Sequence, residues 1–131
     1  MFLLDTNVIS ELMKPRPNPR VVAWAGDLVE PMLSVITIDE LYFGLTAKPN
    51  KALQRWLDDN LSTQFTILDI SYPIARHAGV LRAQLARRGR VRTQADMLIA
   101  ATAALHGATL ATRNARDFEG CGTALFDPFR D

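Results

Sequence analysis

Short apolar runs of strand length alternate with helix-period stretches along the chain, and this alternation confines the fold to the α/β class with a mainly parallel sheet. Phe2-Leu3-Leu4-Asp5, Met32-Leu33-Ser34-Val35-Ile36, the run from Phe65 to Leu68, and Thr109-Leu110-Ala111 read as strands. Ala124-Leu125-Phe126 reads as a weaker fifth.

The segments between them carry helix signals. Thr6-Asn7 offers cap chemistry for a short helix through Ile9, Leu12 and Met13. The prolines at 15, 17 and 19 force a loop, and Asn18-Pro19 then pairs an N-cap with proline at the first helical position, opening a helix through Trp24. Thr37 is the expected cap of a helix from Ile38 to about Thr46. Asn50 caps another, with Leu53, Trp56, Leu57 and Leu61 forming one apolar stripe. Ser71 opens a long helix that buries Ile74, Ala75, Ala78, Leu81, Leu85 and Ala86 and stops at Gly89. Thr93 caps the next, which Gly107 ends.

At 131 residues the chain has room for one core, so a single domain over 1–131 is expected. Cys121 is the only cysteine, which excludes an intramolecular disulfide and a cysteine-cluster zinc site and fits a reducing cytosol. Asp5 interrupts the apolar opening too early for a signal peptide, and no later run has the length of a membrane span. The expectation is a soluble, cytoplasmic protein without membrane contact. The formal net charge of +1 gives no global argument for nucleic acid, so any such argument rests on local clustering.

Four acids carry the chemistry. In an open parallel sheet, ligands bind at the carboxyl ends of the strands. Asp5 ends strand one, Glu40 lies in the expected first turn after strand two, and Asp117 lies just past strand four. Asp96 begins the helix that feeds strand four; that helix must start at the carboxyl edge to finish at the other. All four acids therefore map to one edge. Carboxylates gathered without lysines between them repel unless a cation sits among them. Oxygen-only donors suit Mg²⁺ or Mn²⁺ rather than zinc, and metal-assisted phosphodiester hydrolysis is the reaction such a site serves best. Each acid also has a plainer reading. Thr37-Ile38-Asp39-Glu40 and Thr93-Gln94-Ala95-Asp96 both have the form of capping arrangements, and acids in a first helical turn are favoured anywhere. Asp117 alone fits a turn. Asp5, ending a buried strand, is the hardest to explain structurally.

The same residues carry a resemblance. Leu3-Leu4-Asp5-Thr6-Asn7-Val8-Ile9-Ser10-Glu11 resembles the opening of a PIN domain, in particular the VapC-type toxins and their FitB-like branch. Thr37-Ile38-Asp39-Glu40-Leu41 with Gly44 is similar to the second motif of that family, and Asp96-Met97-Leu98-Ile99-Ala100-Ala101-Thr102-Ala103 to the third. Thr112-Arg113-Asn114-Ala115-Arg116-Asp117-Phe118 resembles the fourth, and Phe126-Asp127-Pro128-Phe129 the closing strand. The resemblance implies a three-layer α/β/α sandwich with a five-stranded, mainly parallel sheet. It implies a Mg²⁺- or Mn²⁺-dependent endoribonuclease toxin, with Asp5 and Asp96 as core metal ligands and Glu40 and Asp117 completing the acidic site. Asn7, Thr112 and Asn114 match supporting polar positions. It further implies an RNA substrate, a homodimer, and a cognate antitoxin of ribbon-helix-helix type with which the toxin sits on operator DNA.

Among the remaining residues, Arg88, Arg90 and Arg92 precede the Asp96 helix, either as a grip on RNA phosphates or as a solvated helix end. Arg113 and Arg116 either touch substrate or balance the acids. His77 and His106 read as a surface residue and a helix-end cation rather than an acid–base pair. Trp24, Trp56, Tyr42 and Phe43, at helical spacings, suit core or dimer contacts better than base stacking. Two further functions compete with the ribonuclease: a weakly or non-catalytic binding module that helps an antitoxin hold operator DNA, and a nuclease acting on DNA.

Overall fold

The computed structural model describes residues 1–130. β1 (Phe2–Leu4), α1 (Thr6–Leu12), α2 (Pro19–Gly26), β2 (Met32–Ser34), α3 (Val35–Ala47) and α4 (Lys51–Gln64) form the first half. β3 (Thr66–Leu68), α5 (Tyr72–Arg87), α6 (Gln94–Leu105), β4 (Thr109–Ala111), a 3₁₀ turn (Ala115–Phe118) and β5 (Leu125–Phe126) complete it.

The five strands form one sheet in the order β3-β2-β1-β4-β5, with every recorded pairing parallel. Consecutive residues of each short strand face opposite sides. Leu3, Met32 and Leu110 pack with Ile74, Ala78, Leu81 and Leu85 of α5 and with the apolar face of α6. Leu4, Leu33 and Ala111 pack instead with Val8, Ile9, Val21, Leu41, Leu57 and Leu61, from α1 to α4. The alternation of single residues thus produces three layers, α/β/α. The strand order reverses at β1, whose neighbours are β2 on one side and β4 on the other. A crevice opens at the carboxyl end of such a reversal, and this one lies beside Asp5.

Most helix starts follow the expected chemistry: Asn18, Asn50, Ser71 and Thr93 each cap through a side-chain oxygen. Gly89 and Gly107, at φ +76° and +63°, take the left-handed turns that end α5 and α6. Four details differ from the sequence reading. Asp5 itself caps α1, its carboxylate accepting the Thr6 N–H, so Thr6 and Asn7 lie inside the helix. β2 stops at Ser34, which caps α3 two residues earlier than Ile36 would allow, and Thr37 is buried in the helix rather than capping it. Ala75 and Ala86 face solvent, as side chains this small contribute little to either face. The last strand ends at Phe126, and Asp127 then accepts the Phe129 N–H in a turn.

The four aromatics singled out in the sequence all lie on the α1–α4 side of the sheet. Tyr42 and Trp56 pack against the α1–α4 core, Trp24 stacks on Phe126 with ring centroids 5.5 Å apart, and Phe43 is exposed. No helix among the described residues is long and apolar enough to cross a membrane.

Candidate active site

Asp5 is held at the crevice by neutral donors. Its backbone N–H continues the sheet to Ala111 O at 2.9 Å, which fixes the carboxylate just past the ends of β1 and β4. The side chain is 6% exposed. Oδ1 accepts the Thr6 N–H at 2.8 Å, while Oδ2 accepts the Thr112 hydroxyl at 2.8 Å and Asn7 Nδ2 at 3.2 Å. Thr112 in turn accepts the Asn114 N–H at 3.0 Å, and Asn7 Oδ1 accepts the Arg113 N–H at 3.2 Å. The supporting polar residues thus form one network across the β1–β4 junction.

Glu40 arrives from α3. Because Ser34 caps the helix and Val35 begins it, Glu40 stands in the second turn, and the capping box with Thr37 does not form. Its Oε1 accepts the Thr6 hydroxyl at 2.7 Å, and Thr37 Oγ1 lies 3.1 Å from the same hydroxyl. Asp96 comes from the first turn of α6, where Thr93 Oγ1 accepts its backbone N–H at 3.1 Å.

Asp5, Glu40 and Asp96 line a common cavity of about 420 Å³ together with Thr6, Asn7 and Ser10. Asp117, in the 3₁₀ turn, lines an adjoining cleft of about 480 Å³ instead. The structure therefore brings three of the four acids into one cavity and sets the fourth beside it. The electrostatics still couple all four. Burial above all pushes Asp5 up to about 6, with Asp96 and Glu40 adding to the rise and the Thr112 and Thr6 hydrogen bonds opposing it. Asp96 is also raised, first by burial and then by the charges of Glu40 and Asp117, against Thr93 and Arg92. Charged carboxylates so placed store repulsion that a cation would relieve. Among the described residues no three His, Cys, Asp or Glu side chains are grouped so that they could hold a metal ion by themselves.

Thr6, Thr37 and Ser10 are site residues that the sequence reading did not single out. The signal for Thr6 lay next to Asp5: a helix capped by Asp5 puts the following side chain at the cavity wall. Glu11 is a different case, a buried acid already matched. Its carboxylate accepts Lys14 Nζ and the Asn18 N–H, both at 2.9 Å. These bonds, the Lys14 one foremost, hold its pKa below the usual value.

The basic residues separate. Arg113 borders both the acidic cavity and the adjoining cleft. Arg92 is half-buried, donating through Nη2 to Arg116 O at 3.2 Å, and neither it nor Arg88 nor Arg90 borders the acidic cavity. His77 and His106 stand away from it as well.

Known proteins resemble the chain over its whole length. The sequence matches the PIN domain over residues 2–120. It is 39% identical to the toxin FitB of Neisseria gonorrhoeae, with both chains covered in full. It is 37% identical to the VapC ribonuclease Y4jK of Sinorhizobium fredii, over 98% of each. Among solved structures, FitAcB from Neisseria gonorrhoeae superposes with a TM-score of 0.87 at 37% identity, covering all of both chains. DNA-bound VapBC from Salmonella typhimurium does so with a TM-score of 0.82 at 30% identity and 97% coverage of each. By its matched domain and its full-length relatives, the chain belongs to the PIN-domain family, among the FitB and VapC toxins.

Proposed function

We propose that this protein is the toxin of a toxin–antitoxin pair and a Mg²⁺- or Mn²⁺-dependent endoribonuclease acting in the cytoplasm. The observation that carries the reading is the meeting of Asp5, Glu40 and Asp96 in one cavity at the strand-order reversal, in a chain 37% identical to a VapC ribonuclease. The donor set fits a hard cation: the lining carries carboxylates, hydroxyls and side-chain amides with no histidine or cysteine, its Lys14 is paired with Glu11, and Mg²⁺ takes one or two carboxylates directly while keeping several waters. Asp5 and Asp96 would hold the ion, Glu40 would complete the shell, and Asp117 would add charge from the neighbouring cleft. A divalent cation there supplies positive charge beside the scissile phosphate and makes water more acidic near neutral pH.

The chain's own residues do the rest. Thr112, Asn7 and the Thr6 N–H keep the Asp5 carboxylate in a single orientation. Thr6 fixes Glu40 in the same way. In the proposed hydrolysis water attacks phosphorus in line, one P–O bond forming as the bond to the leaving strand breaks, with a carboxylate of the cavity accepting the water's proton and solvent protonating the leaving oxygen.

A partner fits the same reading. The solved relatives include FitAB bound to the IR36 DNA fragment and VapBC bound to DNA, which supports an antitoxin partner and an operator-DNA complex; a homodimer completes the proposal. Expression of the chain without any antitoxin tests the enzyme against the binding module. Growth arrest with RNA breakdown, abolished by Asp5→Asn or Asp96→Asn, is expected. Normal growth and intact RNA in cells that accumulate the folded chain would favour the module.

A further inference from the structure

Two cavities meet at Arg113, and the acidic cavity accounts for only one of them. The second, about 480 Å³, is bordered by Arg113, Arg116 and Arg130 and also by the acids Asp117, Glu119 and Asp127. Arg113 and Asn114 belong to both. A strand passing from one to the other crosses Arg113.

The position of Arg113 is fixed from two sides. Its backbone N–H donates to Asn7 Oδ1, and Asn7 Nδ2 reaches Asp5 Oδ2, so one side-chain amide ties this backbone to the central carboxylate. The guanidinium lies over the Phe129 ring, 4.6 Å from its centroid, and Phe129 is in turn held by its N–H to Asp127 Oδ1 at 2.9 Å. A planar guanidinium stacked on a ring keeps its edge donors available, and that fork matches two oxygens of a phosphate. Among the described residues no hydrogen bond takes up these donors. The Arg113 charge is felt by Glu11 in the cavity wall, a carboxylate that already has Lys14 at 2.9 Å. In the second cleft Arg130 is 83% exposed and pairs with the largely covered Asp127 at 3.3 Å.

We propose that Arg113, seated on Phe129 at the rim between the two cavities, grips an RNA phosphate adjacent to the one being cut, and that the cleft carrying Arg116 and Arg130 receives the strand as it leaves the acidic cavity. This assignment rests on the ribonuclease reading for its substrate, and it makes Arg113 a substrate-binding residue rather than a counter-charge.

The test is binding, so it does not need turnover. Fluorescence anisotropy with a labelled random-sequence single-stranded RNA 20-mer, at fixed Mg²⁺ and several salt concentrations, compares Asp96→Asn with the same protein also carrying Arg113→Ala, Arg113→Lys or Arg130→Ala. Arg113→Ala is expected to weaken binding about tenfold and to make the slope of log affinity against log salt shallower by about 0.7. Arg113→Lys should keep the slope and recover part of the affinity, which shows that the site still folds. Arg130→Ala should give a smaller loss in the same direction. If Arg113 only balances the acids, Arg113→Ala leaves RNA affinity and slope unchanged and lowers the melting temperature of the metal-free protein; that result overturns the proposal. The two readings fail separately. A wild-type chain that cleaves RNA while Arg113→Ala binds like its parent removes the grip and keeps the nuclease. A chain that never cleaves but loses slope on Arg113→Ala removes the nuclease and keeps the grip.

Discussion

The Thr112 hydroxyl donates a 2.8 Å hydrogen bond to Asp5 Oδ2 across the β1–β4 junction, between residues 107 positions apart. Both side chains are buried, and the bond helps to hold the Asp5 carboxylate in its charged form against the effect of burial. Thr112→Val keeps the shape and removes the donor. Asp5 should then rise further above about 6, and the acid limb of the RNA-cleavage pH profile should move to higher pH. A profile identical to that of the wild type would show that this bond does not tune the site.

Metal-free stability should fall as pH rises through the range set by Asp5. Its folded-state pKa of about 6 lies above the ordinary 3.8, so between those values the folded chain binds more protons than the unfolded one. Stability is therefore gained as pH drops through that window and lost as it rises, by an amount on the order of 2–3 kcal/mol for a two-unit shift. Asp96 shifts in the same direction and adds to the trend. Thermal melts in EDTA from about pH 4.5 to 7.5 check it, and Asp5→Asn should flatten the dependence.

Glu40 depends on Thr6. Removing the 2.7 Å bond by Thr6→Val frees the carboxylate and should weaken Mn²⁺ binding roughly tenfold, at the low end of the losses seen on deleting a supporting hydrogen bond near a metal. Asp39→Asn, next in sequence but exposed, should leave binding unchanged. Calorimetric titration distinguishes the two, and equal effects would show that only net charge matters.

The start of α3 also sets the site. Ser34, fully buried, accepts the Ile36 N–H at 3.0 Å, and Ser34→Ala should cost about 1 kcal/mol of stability. Thr37→Val, at the position first read as the cap, should act instead through the Thr6–Glu40 contact, weakening Mn²⁺ binding more than it lowers the melting temperature. Denaturant unfolding measured beside metal titration separates these effects.

The legible parts of the molecule were those governed by local chemistry. Asn18, Asn50, Ser71 and Thr93 announce helices because few other roles suit such residues before an apolar stripe, and Asp5 stands out because a carboxylate ending a buried strand has few structural explanations. The start of α3 was less legible since Ser34 and Thr37 are both competent caps. The choice between them depends on how soon β2 meets the sheet edge, a tertiary matter. The strand order was hidden for the same reason: nothing local tells a crossover to which side of β1 it returns. Asp117 shares the edge with the other acids, but the 3₁₀ turn carries it into the next cleft. Position along the sequence conveys the edge, not the cavity.

The central claim, that these carboxylates serve RNA cleavage through a bound cation, is most directly tested by titrating Mn²⁺ into the purified, metal-stripped chain while following cleavage of a total RNA pool. Cleavage should be absent in EDTA, rise and saturate with Mn²⁺ in the wild type, and stay flat in Asp96→Asn. Full cleavage in EDTA, or a wild-type response in Asp96→Asn, would contradict the account.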